Sequence, residues 1–222
     1  MKDNVVIIFT RIPIPGKTKT RLQPLLSGEQ CCQLHRAFLV DIYNVLRLSE
    51  SMCDVVLYYV PDGDLGELKA LFPDDLSYNA QVGDGLGAKM YNAISDMLSL
   101  GYKKCLLMGS DVPLFNRYML DEAFRLLDKN DIVICPTIDG GYFLIGMKEP
   151  YEAAFCIGEF STASVYERTV FAVEAAGRSC VVGPCTFDID EPDDLYRLTE
   201  LLRSEDPELC PQTRKVLRNF AL

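Results

Sequence analysis

The chain has no tryptophan, one histidine and no Cys-x-x-Cys pair. Each absence removes a class of function. A zinc cluster would have one imidazole, His35, and nine scattered thiols to draw on, whereas such sites use closely spaced ligand pairs. His35 itself is expected to pack within a helix or face solvent, away from any reactive edge. Basic residues are outnumbered: 22 Lys and Arg stand against 32 Asp and Glu, a net charge of −10. Non-specific nucleic-acid or anionic-membrane binding needs a basic face, so neither partner is expected. No apolar run approaches the roughly 18 residues of a membrane span. The opening MKDNVVIIFTRIP holds only five consecutive apolar residues, too few for a signal-peptide core. Neither a Gly-x-Ser-x-Gly elbow nor an HExxH helix is present. The cysteine count is odd, and Cys105 and Cys135 sit inside apolar runs. The thiols are therefore expected to be reduced, as in a cytoplasmic protein.

What is present is alternation. Short apolar runs predict buried strands at Val5–Phe9, Val55–Val60, Cys105–Met108, Ile132–Cys135, Tyr142–Ile145 and Cys180–Val182. Between them lie helical stripes. One runs through Cys31, Leu34, Phe38, Ile42 and Val45, another through Leu86, Met90, Ala93, Ile94 and Met97, a third through Leu120, Ala123, Phe124 and Leu127. Further stripes start at Val165 and Leu195. Ser27 and Gln30 have the spacing of a capping box. The stretch from Gly63 to Val82 is the least periodic, and the tail after Pro207 predicts a weak helix at most. Strands buried on both faces and alternating with helices imply an α/β fold, a three-layer α/β/α sandwich around a mostly parallel sheet. One domain over residues 1–222 is the simplest account.

Ligands of such sheets sit beyond the carboxyl ends of the strands, so the residues that follow each strand are candidates for one site. From Asn4 to Gly28 there is no acidic residue, yet Arg11, Lys17, Lys19 and Arg21 are present, with Gly16 to shape a loop. Such a loop suits phosphate, although it also reads as a solvated basic turn. It is not a Walker A loop, because the earlier glycine that GxxxxGK[ST] requires falls on Arg11. The segment GDGLGAKM, with Gly83 and Gly87, reads as the lining of a nucleotide or sugar pocket or as a helix-entry turn. Asp111, stiffened by Pro113, suits a divalent cation, which takes one or two carboxylates plus phosphate oxygens. Asp188 and Asp190 would supply further ligands, or would simply open a helix at Pro192. Asp139, Gly140 and Gly141 form a tight turn that lets backbone approach a substrate or that merely closes a hairpin.

Taken in order, RIPIPGKTKTRL, GDGLGAKM, GSDVP, PTIDGGYFLIG and FDIDEPDDL resemble small bacterial and archaeal proteins of the GT-A, nucleotide-diphospho-sugar transferase type. The likeness extends from about Val5 to Leu198. It points to a glycosyltransferase-like group once described as a domain of unknown function, some members of which are linked with arsenosugar synthesis. The KTRL run and GSDVP also resemble 2-phospholactate guanylyltransferase and, more distantly, molybdenum-cofactor nucleotidyltransferases. The resemblance implies a single GT-A domain with one reversed strand, binding a nucleotide diphosphate through a divalent metal, Mg²⁺ or Mn²⁺. It implies that Asp111 stands at the family's metal-binding aspartate and that Arg11, Lys19 and Arg21 hold phosphates. The motif departs from the DxD of many metal-dependent glycosyltransferases.

The leading expectation is sugar transfer from a nucleotide-sugar to a small acceptor. Asp111 and Lys19 would steady the leaving phosphate, and Asp139 would activate the acceptor hydroxyl. The alternative is nucleotidyl transfer from a nucleoside triphosphate to a phosphorylated acceptor, with release of pyrophosphate. A third reading is a non-catalytic nucleotide-binding protein. Apolar residues between Pro150 and Phe160 are a candidate homodimer interface.

Overall fold

A computed structural model describes residues 2–49, 52–160, 162–204 and 206–220. Seven strands form one sheet in the order β3-β2-β1-β4-β6-β5-β7. The central strand β1 (Asn4–Arg11) pairs in parallel with β2 (Asp54–Val60) and β4 (Lys104–Gly109). Strand β3 (Ser77–Ala80) extends the sheet beyond β2. On the other side β6 (Tyr142–Met147) runs antiparallel to both β4 and β5 (Ile132–Pro136), and β7 (Cys180–Val182) closes that edge parallel to β5. One strand is thus reversed, as the resemblance implied.

Parity along β1 explains the layers, since successive side chains point to opposite faces. Val6 and Ile8 meet Leu39, Ile42 and Leu46 of α1 (Gly28–Arg47) and Leu120, Phe124 and Leu127 of α4 (Arg117–Leu127). Val5 and Ile7 meet Met90, Ile94 and Met97 of α3 (Gly85–Ser99) and Val173 of α5 (Val165–Ala175). Both faces are covered, hence the unbroken VVII run. A one-turn helix, α2 (Gly66–Lys69), precedes β3. Among the described residues no helix is long and apolar enough to cross a membrane.

Helix α1 begins as its capping box requires. Ser27 Oγ accepts from Gln30 N at 3.2 Å, and Gln30 Oε1 accepts from Ser27 N at 2.8 Å. A third core joins the first half of α1 to α6 (Pro192–Ser204) and α7 (Pro211–Asn219). The tail expectation is corrected here, because α7 is a regular helix docked on α1. Its N-terminal cap comes from α1, where Asp41 accepts from the backbone N–H of Gln212 (3.0 Å) and Thr213 (2.8 Å) and from the Thr213 hydroxyl (2.7 Å). No local signal announces a cap supplied from so far along the chain. Strand β3, only faintly marked in the sequence ahead of Gly83, is a four-residue edge strand with no buried run of its own.

In the segment expected as a homodimer interface, only the middle turns inward, and Cys156 and Glu159 are exposed. Ala154 and Phe155 are buried, and Phe155 and Phe160 pack beside α3 and α5. All nine cysteines are free thiols.

Candidate functional site

A cleft of about 350 Å³ opens at the carboxyl end of β1 and β4, within the usual size range of small-ligand sites. Its cationic wall is the loop after β1, contributing Arg11, Lys17, Lys19 and Arg21. Asp111 and Asp190 line the opposite side. Four cations against two carboxylates make this a locally positive cleft in a chain of net −10. Arg21 and Asp111, both expected at the site, line this one cleft.

The loop is held by its own side chains. Thr18 is buried, and its hydroxyl accepts from Ile14 N at 2.8 Å. Gly16 has φ +78°, a left-handed conformation that favours glycine. Its backbone lies against the start of α1, where a Cβ on Gly28 would come within 2.7 Å of Gly16 N. Gly16 thus shapes the loop and does not line the cleft. Arg11 braces it by donating to Lys17 O at 3.1 Å and lies 3.6 Å from Asp62.

Lys19 is the centre of the site. It adopts φ 50°, ψ 44°, a region that costs a non-glycine residue about 1 kcal/mol or more. Its side chain is 5% exposed, with Nζ 2.7 Å from Asp111 Oδ1 and 3.0 Å from Asp190 Oδ1. Nζ also donates to Ile189 O at 2.5 Å. The two aspartates are neighbours because Ile189 N donates to Asp111 O at 2.9 Å, stitching the two segments together. Burial opposes the ammonium charge, but Asp111 and Asp190 outweigh it and hold the Lys19 pKa above the ordinary value. Burial likewise opposes ionisation of Asp111, yet Lys19 and its hydrogen bond keep that carboxyl below its usual range. Arg21 is largely exposed, 3.8 Å from Asp190 Oδ2 and 4.0 Å from Glu191 Oε1.

His35 is a correction. It does not lie away from the edge: it is 2% exposed and lines this cleft. Burial chiefly, helped by the neighbouring Lys19 and Arg11 charges, pushes its pKa down to about 4. Helical periodicity places His35 on the core face of α1. It does not reveal that the core there abuts the cleft.

The remaining expected residues do not line the cleft itself. Asp139 sits in the β5–β6 turn, where Oδ1 accepts from the Thr137 hydroxyl (2.5 Å) and from Gly141 N (3.0 Å). Gly140 has φ +91°, and a Cβ there would come within 1.9 Å of Ala163 O. Neither Gly140 nor Gly141 lines the cleft, and both serve the hairpin and its packing. Asp188 is half-buried, and burial first, then Asp139 and Asp190, pushes its pKa up to about 6. Among the described residues no three His, Cys, Asp or Glu side chains form a ready metal cage. Asp111 and Asp190 instead share Lys19, and Asp188 stands to one side. Gly83, with φ +138°, turns tightly against Ala88 and Lys89. Gly87 faces Phe155 and Phe160, not the cleft. From that glycine-rich segment it is Leu86 that reaches the cleft. Gln81 also lines it and was missed. Its amide donates to Thr10 O (2.8 Å) and Tyr58 O (3.1 Å), contacts that only strand pairing creates.

The chain is 29% identical over 161 residues to the 2-phospho-L-lactate guanylyltransferase of Methanosphaera stadtmanae, covering 69% of this chain and 67% of that protein. It is 27% identical to the enzyme of the same name from Methanobrevibacter smithii, covering 97% and 91%. A solved structure from Desulfovibrio desulfuricans G20, provisionally assigned as a nucleotide-diphospho-sugar transferase, superposes with a TM-score of 0.87 at 29% identity over 99% of each chain. A cytidylyltransferase from Leptospira borgpetersenii shares the fold alone, with a TM-score of 0.60 at 14% identity over 99% of this chain and 95% of that one. The expected transferase class and nucleotide-diphospho-sugar transferase-like fold agree with these relatives. The profile of one family, described as uncharacterized protein conserved in bacteria (DUF2064), matches residues 45–162, more than half of the chain, and the chain belongs to that family.

Proposed function

We propose that the protein is a nucleotidyltransferase, joining a nucleoside monophosphate from a nucleoside triphosphate to a small phosphorylated acceptor. This reverses the order expected from sequence, where glycosyl transfer led. The observation that carries it is the buried Lys19, set between Asp111 and Asp190 in a cleft ringed by Arg11, Lys17 and Arg21. The two guanylyltransferase relatives support it.

In the reaction, an acceptor phosphate oxygen attacks the α-phosphorus. The bond from the α-phosphorus to the bridging oxygen breaks, and its electron pair leaves with pyrophosphate. Arg11, Lys17 and Arg21 bind the β- and γ-phosphates. Lys19 donates to the α-phosphate as charge builds. A phosphate acceptor attacks as an anion and needs no base, which suits a cleft whose two carboxylates are both engaged by Lys19.

The donor set fits a divalent cation that takes one or two carboxylates plus phosphate oxygens. Half-buried Asp188 is crowded by Asp139 and Asp190, as its raised pKa reflects. Asp111, with Asp188 or Asp190, would hold Mg²⁺ or Mn²⁺. A cation held there would supply neutralisation of the charge on the α-phosphate and the leaving pyrophosphate.

The test is the identity of the released product. Incubation with each of the four ribonucleoside triphosphates, magnesium and a panel of small phosphorylated acids, beginning with 2-phospho-L-lactate and GTP, should release pyrophosphate. Release of nucleoside diphosphate from a nucleotide-sugar would instead establish glycosyl transfer, the reading favoured by the Desulfovibrio structure. Nucleotide binding without either product would leave the non-catalytic reading.

A further inference from the structure

Gln81 lines the cleft and has no place in the reaction above. It follows β3, yet its side chain reaches back across the strand ends. Nε2 donates to Thr10 O of β1 at 2.8 Å and to Tyr58 O of β2 at 3.1 Å. Both amide hydrogens are thereby spent on backbone carbonyls, which can only accept. The orientation of the amide is fixed, because a flip would set Oε1 against two carbonyl oxygens. The residue is 7% exposed. Its one remaining polar atom, Oε1, meets no donor among the described residues, and it is not sealed off as the Tyr78 and Tyr142 hydroxyls are. A buried, clamped acceptor therefore opens on the cleft.

The lining around it is of a different kind from the phosphate wall. The segments at the ends of β2 and β3 give the cleft only uncharged residues, Val60, Gln81 and Leu86. The charged lining comes from the β1–α1 segment, the end of β4 and the approach to α6. Leu86, in the first turn of α3, is 46% exposed. An apolar flank with one fixed polar atom suits a flat heterocycle, set beside cations that suit its phosphates. An acceptor backed by carbonyls selects for donors. Among the common ribonucleobases guanine alone carries two adjacent donors on its pairing edge, N1–H and the 2-amino group. In adenine and cytosine a ring acceptor adjoins the amino group, and in uracil two carbonyls flank the single N–H. Each of these would bring an unpaired acceptor against Gln81 Oε1.

We propose that Gln81 is a specificity-determining residue for the base, its pinned carboxamide oxygen accepting from the N1–H and 2-amino edge of guanine. The proposal rests on the nucleotide reading of the cleft, and it is independent of which bond of the nucleotide breaks. The amide is already ordered by its two backbone contacts, so little further entropy is lost in forming the bond.

The test is equilibrium binding to the full chain by calorimetry, with magnesium and no acceptor. GTP should bind tightest. ITP, which lacks the 2-amino group, should bind about tenfold more weakly, and ATP more weakly still. Gln81→Met, of similar length but with no acceptor oxygen, should bring the affinities for GTP and ITP to within about twofold of each other. A merely structural glutamine would lower every triphosphate alike and leave their ratio untouched. That outcome, or equal affinity of the parent for GTP and ITP, would overturn the proposal. A second measurement needs no variant and covers a Gln81→Met chain that does not fold. In the ¹⁵N-glutamine-labelled parent, the Gln81 side-chain amide signal should shift with GTP and stay in place with inorganic tripolyphosphate, which fills only the cationic wall. A signal unmoved by bound GTP would also overturn it. If no nucleotide binds at all, the nucleotide reading of the cleft falls and this inference with it. If nucleotides bind in an order that Gln81 does not set, this inference falls alone.

Discussion

Replacing Lys19 with methionine tests the centre of the site, because a single ammonium there is shared by two carboxylates. Methionine preserves much of the buried stem and removes the charge. Breaking a fully buried ion pair from one side costs about 3–5 kcal/mol. Asp111 and Asp190 are 41% and 39% exposed, so water recovers part of that once the ammonium is gone. The expected loss is about 1–3 kcal/mol at pH 7, or a fall in Tm of about 2–12 °C for a chain of this size. The assay is urea unfolding of the nucleotide-free protein in EDTA. Adding Asp111→Asn should recover about 1 kcal/mol or more, because the surviving carboxylate then faces an amide rather than a second anion. The deficit should also shrink on acidification. The Asp111 pKa is depressed in the fold, so its stabilisation is present above the unfolded value of about 3.8 and is lost as pH falls through the folded value. A Lys19→Met protein within 0.5 kcal/mol of the parent, or strict additivity with Asp111→Asn, would refute the account of the site.

Asp188→Asn should stabilise the metal-free protein. Its folded pKa is raised from 3.8 to about 6, so ionisation opposes folding increasingly between those pH values, and the gain should be about 1–3 kcal/mol above pH 6 and vanish near pH 4. Thermal melts across that range check it, and a loss of stability at pH 7 would contradict it. Gly87→Ala in α3 should lower Tm although alanine ordinarily favours a helix, because its Cβ would lie 2.4 Å from Phe155 O. Asp41→Ala should cost about 1–3 kcal/mol by uncapping α7 and should raise amide exchange first at Gln212 and Thr213. Arg21→Ala should weaken triphosphate binding by about tenfold with little change in Tm, since the side chain is mostly exposed; calorimetry with a non-hydrolysable triphosphate reads it.

Composition and periodicity alone determined the layers of this protein. Unbroken runs such as VVII in β1 and CLLM in β4 mean strands covered on both faces, and the three-to-four-residue stripes of α1, α3 and α4 mean helices that cover them. The rule that ligands gather at the strands' carboxyl ends was enough to single out Arg11, Lys17, Lys19, Arg21, Asp111 and Asp190, which line one cleft. It failed for Asp139, Gly140, Gly141 and Gly87, because a turn that could approach a ligand and a turn that only packs have the same local chemistry. The sequence left His35 either packed within α1 or facing solvent, because periodicity cannot say what the core adjoins there. Only the tertiary structure decided that the buried lysine would be clamped by aspartates from two distant segments. That outcome depends on Ile189 pairing with Asp111, on the left-handed backbone at Lys19 and on Thr18 folding the loop inward. The first of these joins segments far apart along the chain, so no local pattern encodes it.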